Sequence, residues 1–209
     1  MTVGAPRWLV VSVLVVAVIA LVGSVLWFFG AGQRAPHGSG WRGGMTVPGD
    51  GPVRSLDEAD HAAERFADRW GLRVGEVMEF TNGYYAELVD SSGAGATEVL
   101  IDPGSGAVRL EWGPAMMWNT EFGMHATGRA DEPAIGPEDA GRLADEWLAA
   151  NQPGLRAGQA ERFPGYYTLH TLRDDRIVGM LSVNSATGEV WYHDWHGEFV
   201  QAREHAETG

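Results

Sequence analysis

The sequence predicts an α+β protein with two tandem small domains, each one helix packed on an antiparallel meander sheet, preceded by a single transmembrane helix. Three observations predict this architecture. An uncharged apolar stretch covers residues 8–29, a block of sequence recurs 82 residues further along the chain, and each copy follows an amphipathic helix pattern.

The composition excludes several classes of site. The 209 residues carry 28 acidic and 15 basic side chains, a formal net charge of −13, and every basic side chain is an arginine. Such an acidic chain lacks the basic surface that phosphate contacts require, which argues against nucleic-acid binding. Without cysteine there is no disulfide, thiolate metal site or thiol nucleophile, and without lysine there is no Schiff base or P-loop.

The stretch 8–29 is predicted to cross a membrane. Its 22 residues carry no charge, and as a helix they extend about 33 Å, enough for a hydrocarbon core of about 30 Å. The alternative, a cleaved signal peptide, has a shorter apolar region and a small-residue cleavage site. We therefore expect a short cytoplasmic N-terminus at 1–7 and a single-pass cell-membrane protein with its soluble domains outside the cytoplasm.

A repeat organises the rest of the chain. The run 83–85, Gly-Tyr-Tyr, recurs at 165–167, and the hairpin-like run 101–108 matches 183–190 at the same offset of 82. Two copies of one small domain explain both matches. The predicted order is a flexible Gly/Pro-rich linker at 30–54, domain 1 at 55–112, a Met/Trp-rich interdomain segment at 113–135, domain 2 at 136–197 and an acidic tail at 198–209.

Each copy begins with a helix signal. Ser55 and Glu58 form a capping-box pattern, and Gly71 is the expected stop of the first helix. Pro137 suits the first turn of the second helix, which ends at 153–154, Pro-Gly. Both patterns are apolar on one face only, so each helix is expected to lie on a sheet.

The connections between the predicted strands are too short for parallel crossovers, so both sheets are expected to be antiparallel meanders. The predicted strands are 76–80, 84–89, 97–102 and 107–112 in the first copy, and 159–163, 166–172, 177–184 and 189–195 in the second.

A helix followed by strands and a hairpin reading IDPGSGAV or VNSATGEV resembles the PepSY domain family, which includes modules similar to part of the propeptides of thermolysin-type peptidases. The resemblance covers about 55–112 and 136–196, and the runs 113–123 and 163–167 look like a small exported subgroup without assigned activity. It implies a protein that binds or inhibits peptidases, or regulates events at the cell envelope. The family supplies no catalytic residues to transfer.

The sequence contains no convincing catalytic motif. His61 and Glu64 begin like a zinc-peptidase motif, but Arg65 replaces the second histidine, and no G-x-S-x-G elbow occurs. We therefore expect that the protein is not an enzyme and has no catalytic residue.

Aromatic residues are the candidate anchors for a partner. Two tyrosine pairs each open a predicted strand: Tyr84 and Tyr85 in the first copy, and Tyr166 and Tyr167 in the second. Within each pair, one ring is expected on each face of the sheet. Trp118 lies between the copies and is a further candidate anchor. The competing interpretation is that these rings pack in the interior.

The interdomain segment offers an alternative function. Met116, Met117, Met124 and His125 supply thioether and imidazole groups, which suit Cu(I). Met116 and Met117 would point to opposite faces if extended, and methionine also fills irregular interdomain gaps. Extracytoplasmic copper binding is thus the alternative to interdomain packing.

The run 191–198 contains a second possible metal pattern. If it is a strand, Asp194, His196 and Glu198 share one face and His193 lies on the other. The competing interpretation is a half-buried final strand with a polar outer side.

These observations predict a non-catalytic, membrane-anchored, extracytoplasmic PepSY-like protein that binds or regulates a protein or peptide partner at the cell envelope. The expected partners are the membrane itself and an envelope protein or peptide, with no nucleic acid and no cofactor unless the copper alternative holds.

Overall fold

A computed structural model describes residues 45–126 and 133–204. Helix α1, Leu56–Trp70, begins where the Ser55 hydroxyl accepts a hydrogen bond from the Glu58 N–H at 3.3 Å. It ends at Gly71, whose φ of 68° is the left-handed conformation that glycine adopts without a steric penalty. The predicted Ser55 cap and Gly71 stop are confirmed, but the Glu58 side chain accepts from the Arg54 N–H, at 2.6 Å, where a capping box uses the Ser55 N–H.

Two further helices follow. Helix α2, Pro114–Met117, is a single short turn after Gly113, and helix α3, Pro137–Asn151, has proline in its first turn. Ala140, Ala144 and Leu148 lie on the buried face of α3. The small alanines let this helix approach its sheet closely, as the sequence pattern predicts.

The strands form two antiparallel sheets. The first has the order β1-β5-β4-β3-β2-β10 and the second β6-β7-β8-β9. The strands are β1 Thr46–Val47, β2 Arg73–Phe80, β3 Gly83–Val89, β4 Gly95–Ile101, β5 Val108–Leu110, β6 Arg156–Phe163, β7 Tyr166–Arg173, β8 Arg176–Asn184, β9 Val190–Tyr192 and β10 Phe199–Glu204. Each pair of neighbours is antiparallel, as the short connections predict.

Each sheet has a helix on its outer face and the other sheet on its inner face. Helix α1 packs against Val77, Ala86 and Val99 of the first sheet, and helix α3 packs in the same way on the second. The alternate residues of the strands point inward, where Met78 and Tyr85 of the first sheet share a buried cluster with Met180 of the second. The layers are therefore helix, sheet, sheet and helix.

The predicted fold class is wrong. The described residues are mostly antiparallel strand in two sheets with few helices, and they fall in one compact unit, 40–209. Residues 199–204, predicted to lie in an acidic tail, form β10 and pair with β2 of the first sheet. The last strand of the described residues thus returns to the first sheet, where the edge of β2 offers unpaired backbone groups.

The end of the predicted flexible linker is also ordered. Thr46–Val47 forms β1 and pairs with β5, and Val47 and Val53 are buried in the core beneath α1. Gly49 lies so close to the turn before β5 that a Cβ would meet the Ser105 carbonyl oxygen at 2.0 Å. Burial of the two valines offsets the ordering entropy that the glycine-rich composition imposes.

In the part of the chain that the structure describes, no helix is long and apolar enough to cross a membrane. The predicted spanning stretch 8–29 and the N-terminal residues 1–7 lie outside the described residues.

Gly95→Ala is expected to destabilise the protein, because Gly95 lies where β4 of the first sheet approaches β6 of the second. A Cβ there would meet the Arg162 carbonyl oxygen at 2.6 Å and the Phe163 ring at 3.0 Å. We expect a loss of about 1–3 kcal/mol in the free energy of unfolding, measured by urea denaturation. Gly141→Ala is the control, since its Cβ meets nothing within 4 Å, and alanine should stabilise helix α3 by up to about 1 kcal/mol. Equal stability of the two variants would contradict the close packing of the sheets.

Candidate functional site

The interior between the two sheets is unusually polar. Glu98 and Glu111 have no exposed surface, and Thr168, Ser182 and His193 are also buried. All five are on or next to strands, at the alternate positions that face the opposite sheet. Buried polar groups of this kind require partners, and these residues form a connected network.

Glu98 is the carboxyl that joins the two sheets. It accepts hydrogen bonds from the Tyr85 hydroxyl of the first sheet and the Tyr166 hydroxyl of the second, each at 2.7 Å. Burial and the nearby charge of Glu111 raise the pKa of Glu98 to about 7, although His193 and the two tyrosines oppose that rise. Burial and the charge of Glu98 also raise the pKa of Tyr85 and Tyr166, so both hydroxyls stay protonated and act as donors.

Glu111 has a different environment. Its Oε1 atom lies 2.6 Å from His196 Nε2 and accepts a hydrogen bond from Trp195 Nε1 at 3.2 Å. The same oxygen lies 3.4 Å from His193 Nδ1. Burial opposes ionisation of this carboxyl, but the two imidazoles outweigh it and hold the pKa of Glu111 at about 2.

The second nitrogen of His193 is held by hydroxyl groups. His193 Nε2 lies 3.0 Å from Ser182 Oγ, and Ser182 Oγ lies 2.9 Å from Thr168 Oγ1. These contacts leave His193 Nδ1 facing Glu111. In the described part of the chain, neither that nitrogen nor Glu111 Oε2 has a hydrogen-bond partner, although both side chains are fully buried.

A turn brings the two histidines together. Beyond β9 the chain leaves the sheet, and the His196 N–H donates to the His193 carbonyl oxygen at 3.4 Å. Asn82 holds this turn, because its amide donates to the Trp195 carbonyl oxygen at 2.8 Å and its carbonyl oxygen accepts from the Gly197 N–H at 2.7 Å. The predicted strand 189–195 is shorter in the structure, where β9 ends at Tyr192, so the separate faces that a strand through 191–198 would give to His193 and His196 do not apply.

A surface groove of about 130 Å³ opens next to this network. Its lining includes the aromatic and basic residues Tyr84, Arg109, Trp112, Trp195 and His196, together with the acid Asp102. Trp112 is 52% exposed, the largest exposed fraction among the large apolar side chains of the described residues. An exposed indole beside a concave surface is typical of a binding site.

Arg109 is the cation of the groove. Its guanidinium carbon lies 5.1 Å from the centre of the Trp112 ring, a cation–π arrangement. Within residues 45–126 and 133–204, its Nη1 atom is buried without a hydrogen-bond partner. The positive charge also contributes to the lowered pKa of Asp102, after the hydrogen bonds from Ser105.

A second, acidic cleft lies where β3 and β4 approach β6. Glu87 and Glu161 line it, and their carboxyl groups share a hydrogen bond. Burial, followed by the charges of Glu161 and Glu98, raises the pKa of Glu87. Beside this pair, His170 Nε2 lies 3.0 Å from Glu76 Oε2, and despite burial this contact raises the pKa of His170. The cleft therefore contains carboxyl groups that bind a proton more readily than free ones.

The structure places the predicted partner-binding tyrosines in the interior. Tyr84, Tyr85, Tyr166 and Tyr167 are each at most 5% exposed, so they do not form an exposed aromatic surface. The hydroxyls of Tyr85 and Tyr166 donate to the buried Glu98, that of Tyr167 donates to the Ile135 carbonyl oxygen, and Tyr84 lines the groove. Trp118 is half-buried and packs edge-on against Trp191 with ring centres 5.4 Å apart. The competing interpretation, interior packing, is the one that the burial supports.

The structure separates the environments of the predicted copper ligands. Met116 packs partly buried against the first core, whereas Met117, Met124 and His125 are exposed. The Met124 N–H donates to the Met116 carbonyl oxygen at 2.8 Å, so these two residues are neighbours through their backbones. Copper binding by this segment stays a prediction.

Sequence reasoning missed Glu98, Glu111, Arg109 and Trp112 as site residues. A signal was present, because Glu98 interrupts an apolar run in β4. From the sequence, a polar residue in an alternating strand is expected to face solvent. Glu98 is interior because the second sheet covers that face of β4.

Comparisons with known proteins assign no family to this chain. No family model matches the chain, and no curated protein matches it. Among solved structures, the C-terminal domain of YpeB from Bacillus megaterium is similar at 13% identity and a TM-score of 0.37, covering 73% of this chain and 69% of that one. This likeness is loose and assigns no family, so the PepSY resemblance stays a prediction from the sequence.

Tyr166→Phe tests the bond that joins the sheets. Loss of a hydrogen bond to a buried carboxyl should cost about 1.5–3 kcal/mol in the free energy of unfolding, measured by urea denaturation at pH 8. Tyr167→Phe is the matched control, because its hydroxyl donates only to the neutral Ile135 carbonyl oxygen at 2.9 Å, and should cost about 0.5–1.5 kcal/mol. A larger loss for Tyr167→Phe than for Tyr166→Phe would contradict the role given to Glu98.

The free energy of unfolding of Glu87→Gln should increase relative to that of the wild type as the pH rises. The folded-state pKa of Glu87 is raised, so above about pH 4.5 the unfolded chain ionises this group while the folded protein keeps it protonated. Folding of the wild type is therefore penalised progressively above that pH, at up to about 1.4 kcal/mol per pH unit, and the neutral amide removes the penalty. Urea denaturation of both proteins from pH 4.5 to pH 8 measures it, and a constant difference across that range would contradict the raised pKa.

Proposed function

We propose that this chain is a non-catalytic binding protein for a partner at the cell envelope, and that the groove beside Trp112 binds an extended peptide segment of that partner. The observation that carries the proposal is the pairing of a half-exposed indole with an arginine whose Nη1 atom lacks a hydrogen-bond partner in the described chain. The location outside the cytoplasm rests on the sequence alone.

The chemistry of the groove favours a peptide with a carboxylate next to an apolar side chain. Arg109 brings a positive charge into a protein whose formal net charge is −13, so it attracts an acidic group that most of the surface repels. A guanidinium pairs with a carboxylate through parallel hydrogen bonds, and the indole of Trp112 covers an apolar neighbour. The volume of about 130 Å³ suits one side chain of such a segment.

A binding role is favoured over a catalytic one by the state of the groups beneath the groove. Glu98 accepts from two tyrosines, and Glu111 contacts His196 at 2.6 Å. The His196 side chain is only 3% exposed. A general acid or base must reach the proton that it transfers, and these groups are enclosed and engaged by one another.

Selection of peptides against the purified full chain, followed by titration of tryptophan fluorescence with the selected peptide, tests the proposal. We expect the selected peptides to share an acidic residue next to an apolar one. Trp112→Ala and Arg109→Gln should each weaken binding at least about tenfold, as removal of an interface anchor does.

Trp191→Ala is the matched control, since Trp191 is also an exposed tryptophan, at 37%, but does not line the groove. It should change the affinity by less than about twofold. Peptides that bind the two groove variants as tightly as the wild type would overturn the proposal, and so would a selection that yields no binding peptide.

A further inference from the structure

Three donor atoms converge in the buried network. Glu111, His193 and His196 each present one ligand atom, and these atoms lie within 4.8 Å of one another. Glu111 Oε1 is 2.6 Å from His196 Nε2 and 3.4 Å from His193 Nδ1. In a tetrahedral zinc site with bonds of about 2.0–2.1 Å, neighbouring donor atoms are about 3.3 Å apart. The contact between Glu111 and His193 already matches that spacing, whereas His196 lies closer to Glu111 than it would in a loaded site.

Two potential metal-ligand atoms in this cluster make no hydrogen bond within the described residues. Glu111 Oε2 and His193 Nδ1 lack hydrogen-bond partners in the described residues, and their side chains are fully buried. Buried polar atoms are normally paired, because an unpaired one loses its interaction with water without replacement. A cation placed between the carboxylate and the imidazoles would satisfy both atoms.

The surrounding residues orient the donors as supports of a metal site do. Ser182 Oγ contacts His193 Nε2 at 3.0 Å, so Nδ1 is the nitrogen left for a metal. The Trp195 indole stacks on the His193 ring, with centres 4.5 Å apart and an angle of 22° between the planes. The Asn82 hydrogen bonds hold the backbone of the turn. Ser182 and Trp195 therefore orient His193, Asn82 holds the turn that carries His196, and the Trp195 indole donates to Glu111.

We propose that Glu111, His193 and His196 bind a divalent transition-metal ion. Two imidazoles and a carboxylate supply a nitrogen and oxygen donor set that suits Zn²⁺ and its neighbours in the first row. His196, with 3% of its side chain exposed, lines the surface groove and is therefore the ligand on the side nearest to solvent. The inference does not depend on peptide binding by the groove.

The test uses the purified full chain after treatment with a chelator, with Zn²⁺ as the probe and competition against a fluorescent chelator as the measurement. His193→Gln and His196→Gln should each weaken Zn²⁺ binding by at least about 100-fold, more than loss of a supporting residue usually costs. His170→Gln is the matched control, because His170 also contacts a carboxylate, Glu76, at 3.0 Å. It should change the affinity by less than about threefold.

A second measurement keeps the proposal testable if the histidine variants do not fold. X-ray absorption at the zinc edge of the loaded wild-type protein should show two imidazole ligands and an oxygen ligand. Fewer than two imidazoles would overturn the proposal. Unchanged affinity in folded His193→Gln would also overturn it, since the ion would then lie elsewhere, for instance beside the exposed pair His61 and Glu64.

Discussion

The structure depends on one buried carboxyl group, that of Glu98. Hydroxyls from both sheets, Tyr85 and Tyr166, donate to its two oxygens. A buried carboxyl without partners costs far more than a neutral side chain, and both hydroxyls must therefore remain in place. This requirement sets the separation of the sheets, so that the two halves of the chain share one interior.

Glu111 lies beside Glu98 in the same sheet, where its N–H donates to the Glu98 carbonyl oxygen at 2.9 Å. Two neighbouring buried acids repel each other if both are charged. The structure gives them different partners: tyrosines for Glu98, histidines and an indole for Glu111. Their pKa values move apart, to about 7 and about 2, so the pair can be accommodated with one charge. The groove with Trp112 lies next to this rigid polar interior.

Local structure was predictable where neighbouring residues decide it. The Ser55 cap, the Gly71 stop and the antiparallel hairpins follow from interactions within a few residues. The fold class could not be predicted in this way, because β10 pairs with β2 across more than a hundred residues of sequence. The site was missed for a related reason: the polar alternate residues of a strand read as solvent-facing unless a second sheet covers them. Tyr85 and Tyr166 lie under that cover.

The sequence by itself determined the boundaries of the two long helices, the direction of strand pairing, the acidic charge, and the absence of cysteine and lysine chemistry. Only the tertiary structure decided that Glu111 meets His193 and His196, because this contact joins residues about eighty positions apart. It also decided which tryptophan is exposed, since burial depends on every layer packed above a residue. Local patterns encode backbone conformation, whereas the surroundings of a side chain are set by the whole fold.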